Sequence, residues 1–216
     1  MSADAAACPK RGRAAKGLLL FDFDGVLVES LAVYERVVKR ALERIGSPLV
    51  ESREDFLDLF DGNFYESLAR KGVDVKVFAR SLRMTPEDHA EIRPHAAMTP
   101  VLQALHERRL LAVLSSNAGR TIERALARFG WDGCFDRVFG SEAGFSKTEK
   151  FGRALELYGA RPEEVSYVCD TVGDIREARA AGIRAVAVTW GWHSRERLAA
   201  ARPDFLFDGP EKLLEL

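Results

Sequence analysis

The stretch that decides the fold is LLLFDFDGVLVES, from Leu18 to Ser30. Apolar residues at 18–21 and at Phe23 surround Asp22 and Asp24, and Gly25 follows at once. Leu18 to Phe23 reads as a strand apolar on both faces, the kind that parallel sheets require. Side chains two residues apart on a strand point to one side, so Asp22 and Asp24 can address one ligand. Gly25 lets the chain turn sharply and lets backbone donors come close to that ligand. An Asp-x-Asp-Gly run also opens calcium loops, but these need further oxygen ligands and a glutamate at set spacing between helices. Here an apolar strand precedes the run and those ligands are absent.

From Leu31 the period changes. Leu31, Tyr34, Val37, Val38, Ala41, Leu42 and Ile45 recur at helical spacing, which predicts a helix ended by Gly46 and Pro48. Shorter helical pieces follow at 56–59, 64–68 and 75–82, separated by Asp61-Gly62, Lys71-Gly72 and Thr85-Pro86. No strand is expected between Leu31 and Arg93, so that region reads as a small all-helical insertion. Beyond it strands at 110–115, 138–139, 165–170, 185–190 and 205–207 alternate with helices at 101–105, 121–129, 147–158 and 174–181, and a final helix closes the chain. Repeated β-α units predict an α/β fold, a parallel sheet with helices on both faces. Its ligand site lies at the carboxyl ends of the strands.

Bulk properties narrow the function. The chain has 216 residues, 47% hydrophobic and 30% charged, with a formal net charge of −1. That length suits one α/β domain or one domain with an insertion. The charge balance provides no field for nucleic acid or anionic lipid, and no apolar run reaches membrane-spanning length. Cys8, Cys134 and Cys169 are too scattered for a disulfide framework or a zinc site, and a reducing cytoplasm is expected. Residues 1–16, MSADAAACPKRGRAAK, are alanine-rich and basic without an apolar period; they are expected to form a flexible tail rather than a secretory signal.

The carboxyl ends of the expected strands carry Asp22 and Asp24, then Ser115, Ser116 and Asn117, then Asp170 with Asp174 four residues on; Lys147 opens the helix after strand 138–139. These groups suit phosphoryl transfer. An aspartate is a competent nucleophile toward phosphorus, and a second carboxylate can protonate the leaving oxygen and then activate water. Like charges about 4 Å apart repel strongly in a low-dielectric cleft, so a hard divalent cation is needed. Carboxylate ligands point to Mg²⁺ rather than zinc. The candidate metal set is Asp22, Asp24, Asp170 and Asp174. Lys147 would neutralise a phosphate oxygen, and Ser115 with backbone N–H groups would hydrogen-bond the others. Gly25, Ser116 and Asn117 are further substrate-binding candidates.

At DFDGVLVES, VLSSN, Lys147 and CDTVGD the chain resembles the haloacid-dehalogenase-like superfamily, and within it the phosphoglycolate-phosphatase-like hydrolases. The likeness extends from Gly17 to the chain's last residues. It implies a Rossmann-like core of residues 17–30 and 94–216, a helical cap of residues 31–93 and a Mg²⁺-dependent aspartyl-phosphate mechanism. By that resemblance Asp22 is the nucleophile, Asp24 the acid and base, Ser115 the phosphate hydroxyl and Lys147 the charge-neutraliser, with Asp170 and Asp174 supporting the metal. The chain departs from the pattern at Cys169, where a glycine is usual, at Thr148, where a proline is usual, and at Glu29, where an aspartate is common. Lys150 is a rival for the lysine role.

Plainer readings stand beside each of these. Ser115 to Asn117 could simply cap the following helix, Asp170 and Asp174 could be a helix cap and a first-turn acid, and Lys147 could be a solvated charge. The stretch GSEAGFSKT, Gly140 to Thr148, fails the spacing of a nucleotide phosphate loop, because Phe145 and Ser146 separate Gly144 from Lys147. His89, His95, His106 and His193 lack metal-ligand spacing and are expected at the surface or in packing, as are Trp131, Trp190 and Trp192. Cys134 and Cys169 are expected to be small core residues, with Cys169 open to modification by its place beside a catalytic strand end. Gly62 and Asn63, in the turn of LFDGNFYESL, are candidates for contact with the leaving group.

The expected substrate is a small phosphate ester, phosphoglycolate-like or a sugar phosphate, taken by a monomer or small homo-oligomer. A phosphosugar mutase would use the same residues. A dehalogenase needs neither metal nor an acid at Asp24, and a silent scaffold of this fold would have lost a motif residue.

Overall fold

The structure is a computed structural model that describes residues 17–216; the tail expected at 1–16 lies outside the described residues. At its centre is strand β1, Leu18–Phe21, with all four residues buried. Leu18 and Leu20 point into one apolar cluster and Leu19 and Phe21 into another, as the two-residue period of a strand demands. Both faces are therefore covered, which is why the sequence shows an apolar run instead of alternation.

After β1 the chain forms a two-residue strand, β2 (Val28–Glu29), then five helices, α1 (Leu31–Arg44), α2 (Arg53–Asp58), α3 (Phe64–Arg70), α4 (Val75–Ser81) and α5 (Pro86–Glu91), before β3 (Arg93–Pro94). The remainder is α6 (Met98–His106), β4 (Leu110–Leu114), α7 (Gly119–Arg128), β5 (Arg137–Phe139), α8 (Lys147–Tyr158), β6 (Val165–Cys169), α9 (Val172–Ala180), β7 (Arg184–Val188), α10 (Arg195–Ala200) and β8 (Phe205–Phe207). The main sheet has six strands in the order β5-β4-β1-β6-β7-β8, and every pairing in it is parallel.

That order positions the site. The chain steps outward from β1 through β4 to β5, then crosses back to place β6 on the other side of β1. Reversal of direction at β1 opens a crevice beyond its carboxyl end, where ligands of open α/β sheets bind.

Three local features differ from expectation. Arg93–Pro94 pairs antiparallel with Val28–Glu29, forming a ribbon at the root of the helical segment where no strand was expected; two residues, one a proline, are too few to leave a pattern. Arg195–Ala200 is a helix capped by Ser194, which accepts from the Arg197 amide. The expected final helix is a 3₁₀ turn, Pro210–Glu215. Among the described residues no helix is long and apolar enough to cross a membrane.

Candidate active site

Asp22 follows β1 directly, and its own amide donates to Val168 O at 2.9 Å, so the sheet fixes the backbone of this residue. Its Oδ1 accepts from the Phe23 amide at 2.7 Å and lies 3.0 Å from Lys147 Nζ. Lys147 is the first residue of α8, behind the cap Ser146, whose hydroxyl accepts from the Glu149 amide. A helix N-terminus disfavours a cation, yet this ammonium is buried, 3.5 Å from Asp174 Oδ1, and donates to Leu114 O at 3.3 Å and to the Tyr167 hydroxyl. Burial alone would lower the Lys147 pKa; the carboxylates of Asp174 and Asp22 outweigh it and hold the group above its ordinary value. Burial pushes Asp22 up, with Asp174 and Asp170 adding to the rise and Lys147 opposing it.

Asp170 follows β6 and is 0% exposed. Its Oδ2 accepts from the Trp192 amide at 2.7 Å, whereas Oδ1 is buried with no partner. Burial drives its pKa well up, against the Trp192 amide. Asp174 sits in the first turn of α9, where its amide donates to the Thr171 hydroxyl at 3.3 Å. Thr171 is thus the helix cap, and the Asp174 carboxylate is left for the crevice.

Oxygens of Asp22, Asp170 and Asp174 lie within 4.8 Å of one another. An all-carboxylate set with one orphaned, buried oxygen fits a hard divalent cation such as Mg²⁺ and leaves a costly uncompensated polar group without it. Asp24 was expected in this set; its side chain lies apart from it. The Asn117 side-chain amide donates to Asp24 Oδ2 at 2.6 Å, Oδ1 is buried without a partner, and burial raises the carboxyl to about 7.

Ser115, Ser116 and Asn117 follow β4 and line the crevice. The Ser115 hydroxyl accepts from the Asn117 amide at 3.1 Å. None of them caps α7, whose N-cap is Ala118 with no side-chain bond. Lys150 stands behind this loop, donating to Ser115 O at 2.7 Å; burial and the neighbouring Lys147 lower it to about 8. It does not line the crevice, and Lys147 does.

Gly25 also departs from expectation. It does not line the crevice, and its amide donates to Val28 O at 2.9 Å, so it offers no donor to a ligand. Its requirement is steric and conformational: φ is +76°, and a Cβ would lie 1.9 Å from Asp170 Oδ2. Gly25 lets β1's loop press against the Asp170 carboxylate. Cys169 is fully buried with its thiol pushed well up by burial, which removes the expected openness to modification.

The helical segment closes the crevice from above. Gly62 and Asn63 line it. Asn63 Oδ1 caps α3 through the Tyr65 and Glu66 amides, and its Nδ2 donates to Glu177 Oε1 at 3.4 Å. Arg197 of α10 binds Glu54 at 3.0 Å, Asp58 at 2.6 Å and Asp61 at 2.9 Å. His193, buried, accepts the Val172 amide on Nδ1 at 3.1 Å and meets Leu57 O through Nε2 at 3.1 Å. These contacts tie α2 and the following turn to the sheet's carboxyl edge.

Sequence reasoning passed over Glu177, Tyr167 and the aromatic residues of the crevice. Glu177 accepts from the Lys147 amide at 3.0 Å, and its place three residues after Asp174 on one helix face was the available signal. Tyr34, Phe60, Phe64, Tyr65 and Trp192 all line the crevice; at helical spacing they are indistinguishable from core.

The family model of haloacid dehalogenase-like hydrolases matches residues 19–188. This chain belongs to that family. It is 32% identical over 202 residues to a phosphoglycolate phosphatase of Synechococcus elongatus, covering 91% of this chain and 95% of the relative. It is 27% identical over 207 residues to the pyrophosphatase PpaX of Bacillus cereus, covering 92% and 94%. The structure of a predicted phosphatase from Clostridium acetobutylicum superposes with a TM-score of 0.80 at 20% identity, covering 94% of this chain and 100% of that one. These relatives place this haloacid dehalogenase-like hydrolase among the phosphatases, in the phosphoglycolate-phosphatase-like branch.

Proposed function

We propose that this protein is a Mg²⁺-dependent phosphatase that hydrolyses a small phosphate monoester, phosphoglycolate-like or a sugar phosphate, through an aspartyl-phosphate on Asp22. The observation that carries the reading is the convergence of Asp22, Asp170, Asp174 and the Lys147 ammonium at the point where the sheet reverses direction. Asp22, Asp170 and Asp174 would hold the metal, whose charge would offset that of the phosphate.

Lys147 and the Ser115 hydroxyl bind phosphate oxygens and orient phosphorus toward Asp22. A carboxylate oxygen of Asp22 attacks phosphorus and the ester P–O bond breaks. Asp24, whose carboxyl titrates near neutrality at about 7, gives its proton to the departing alkoxide oxygen. Asp24, now a carboxylate, takes a proton from water as that water attacks the phosphorus of the acyl phosphate. Inorganic phosphate leaves and Asp22 returns as a carboxylate. Residues 31–93 act as a cap that covers the reacting centre and limits access of water.

The test is hydrolysis of p-nitrophenyl phosphate by the wild type and by Asp22→Asn, each with Mg²⁺ and with EDTA. Turnover that requires Mg²⁺ and vanishes in Asp22→Asn supports the reading. Turnover that survives the substitution refutes Asp22 as nucleophile.

A further inference from the structure

The reaction drawn above uses Asp22, Asp24, Asp170 and Asp174 and leaves Glu177, which also lines the crevice, without a role. Glu177 stands half-buried on α9. One of its oxygens, Oε1, takes two donors from distant parts of the chain. The Lys147 amide donates to it at 3.0 Å, and the Asn63 side-chain amide donates to it at 3.4 Å.

Each donor is fixed by its own surroundings. Lys147 is the first residue of α8, so its N–H is one of the amides that a helix leaves without an internal partner. Ser146 already accepts from the Glu149 amide; Glu177 caps a second one, with its negative charge on the favourable side of the helix dipole. That bond ties the start of α8 to α9, the helix that carries Asp174, and the Lys147 ammonium lies between Asp174 and Asp22. Asn63 cannot turn its amide round, because Oδ1 accepts from the Tyr65 and Glu66 amides at 3.1 Å each. Its Nδ2 is thereby aimed at Glu177 Oε1 and at Phe145 O, 3.5 Å away. Both bonds from Nδ2 are long for hydrogen bonds, whereas the bond from Lys147 has the ordinary length. The link to the helical segment is therefore the one that yields first when that segment lifts.

We infer that Glu177 is a positioning residue that holds the start of α8 so that the Lys147 ammonium meets a phosphate oxygen, and that through Asn63 it makes this placement depend on the docked helical segment. This inference rests on the phosphatase reading above. Glu177 acts through Lys147, and docking of α3 tightens the phosphate end of the crevice.

Two double-mutant cycles test this, read by kinetics on p-nitrophenyl phosphate with Mg²⁺ and by calorimetric titration with inorganic phosphate. Glu177→Ala is expected to lower kcat/KM about tenfold and to weaken phosphate binding. In Lys147→Met the same change is expected to alter either quantity by less than about twofold, since the group it positions is gone. Glu177→Gln, which keeps an oxygen acceptor, is expected to recover most of the loss. Asn63→Ser keeps a capping side chain for α3 and removes the donor. It is expected to cost about fivefold in the wild type and less than about twofold in Glu177→Ala. A Glu177→Ala loss of equal size in Lys147→Met, or none in the wild type, overturns the role of Glu177. An Asn63→Ser loss that persists in Glu177→Ala, or none in the wild type, overturns the link to the helical segment. Should Glu177→Ala not fold, Glu177→Asp, which withdraws the oxygen by one methylene, takes its place in both cycles. Absence of turnover in the wild type refutes the phosphatase reading, and the phosphate titrations still decide whether Glu177 acts through Lys147.

Discussion

The amide of Gly173 donates to the carbonyl of Phe60 at 2.8 Å, joining the first turn of α9 directly to the turn that follows α2. The approach is close enough that a Cβ on Gly173 would lie 2.3 Å from Gly62 O. Gly173→Ala must therefore push the helical segment off the sheet's edge. The expected cost is about 1–3 kcal/mol, a fall of roughly 2–10 °C in Tm, with a larger proportional loss of kcat, because Asp174 lies one residue on. Thermal unfolding and steady-state kinetics on the same sample check both; unchanged Tm and kcat would show that the turn yields freely.

The two lysines of α8 have unequal surroundings. Lys147 contacts Asp22 and Asp174, whereas Lys150 donates to the Ser115 carbonyl at 2.7 Å. Lys147→Met is expected to lower kcat/KM by about 100-fold or more, the scale of a lost charge stabiliser in a dry site. Lys150→Met is expected to cost less than about tenfold, since it acts through the Ser115 backbone. Equal losses would make Lys150 an equal partner in the site.

Asp24→Asn tests proton donation by the choice of leaving group. A poor leaving group needs its oxygen protonated as the bond breaks, and a good one does not. The substitution is expected to depress benzyl phosphate turnover about 100-fold or more, and p-nitrophenyl phosphate turnover by a markedly smaller factor. Identical factors for the two esters would assign Asp24 to a positioning role.

Asp170→Asn separates metal binding from folding. The orphaned Oδ1 of Asp170 is a buried liability without a cation. In EDTA the variant should unfold no earlier than the wild type. In millimolar Mg²⁺ only the wild type should gain Tm, since a ligand that binds the folded state raises its stability. Differential scanning calorimetry reads both arms, and an equal Mg²⁺-induced rise in the two proteins would remove Asp170 from the metal set.

Asp88 is a structural acid inside the helical segment. Burial would raise its pKa, but the Thr85 amide and the guanidinium groups of Arg36 and Arg40 outweigh that and bring it down to about 2, from 3.8. Arg36 binds it at 3.0 Å and Arg40 more closely. A folded-state pKa below the unfolded one contributes stability that is complete above the unfolded value and is lost as pH falls through the folded value. Asp88→Asn is therefore expected to cost about 1–3 kcal/mol at pH 5–8, with the gap to wild type closing between about pH 4 and 2. Urea midpoints across that range give the answer.

Much of the fold was legible because the signals are local. The strands expected at 18–23, 110–115, 165–170 and 185–190 became the central parallel strands Leu18–Phe21, Leu110–Leu114, Val165–Cys169 and Arg184–Val188, since burial on both faces leaves an unbroken hydrophobic stretch. The helix over Leu31–Arg44 followed its apolar period. The β2–β3 ribbon was not legible: two residues a side carry no period, and their pairing spans the whole helical segment. Gly25 was singled out in the sequence as a sharp turn that brings backbone donors close to the ligand, and its real constraint is the side chain of Asp170, remote in sequence.

By itself the sequence determined the order of strands and helices, and that acids, a serine and a lysine stand at strand ends, because hydrophobic period and strand-terminal position are properties of neighbours along the chain. Only the tertiary structure decided which of those groups meet. It brought Asp170 and Asp174 to Asp22 and set the Asp24 carboxylate against Asn117; it put Lys147, and not Lys150, on the crevice, whose wall Phe60, Phe64 and Trp192 also line. Those outcomes depend on the strand order of the sheet and on how the helical segment docks on its edge. Both are set by long-range packing, which no window of the sequence contains.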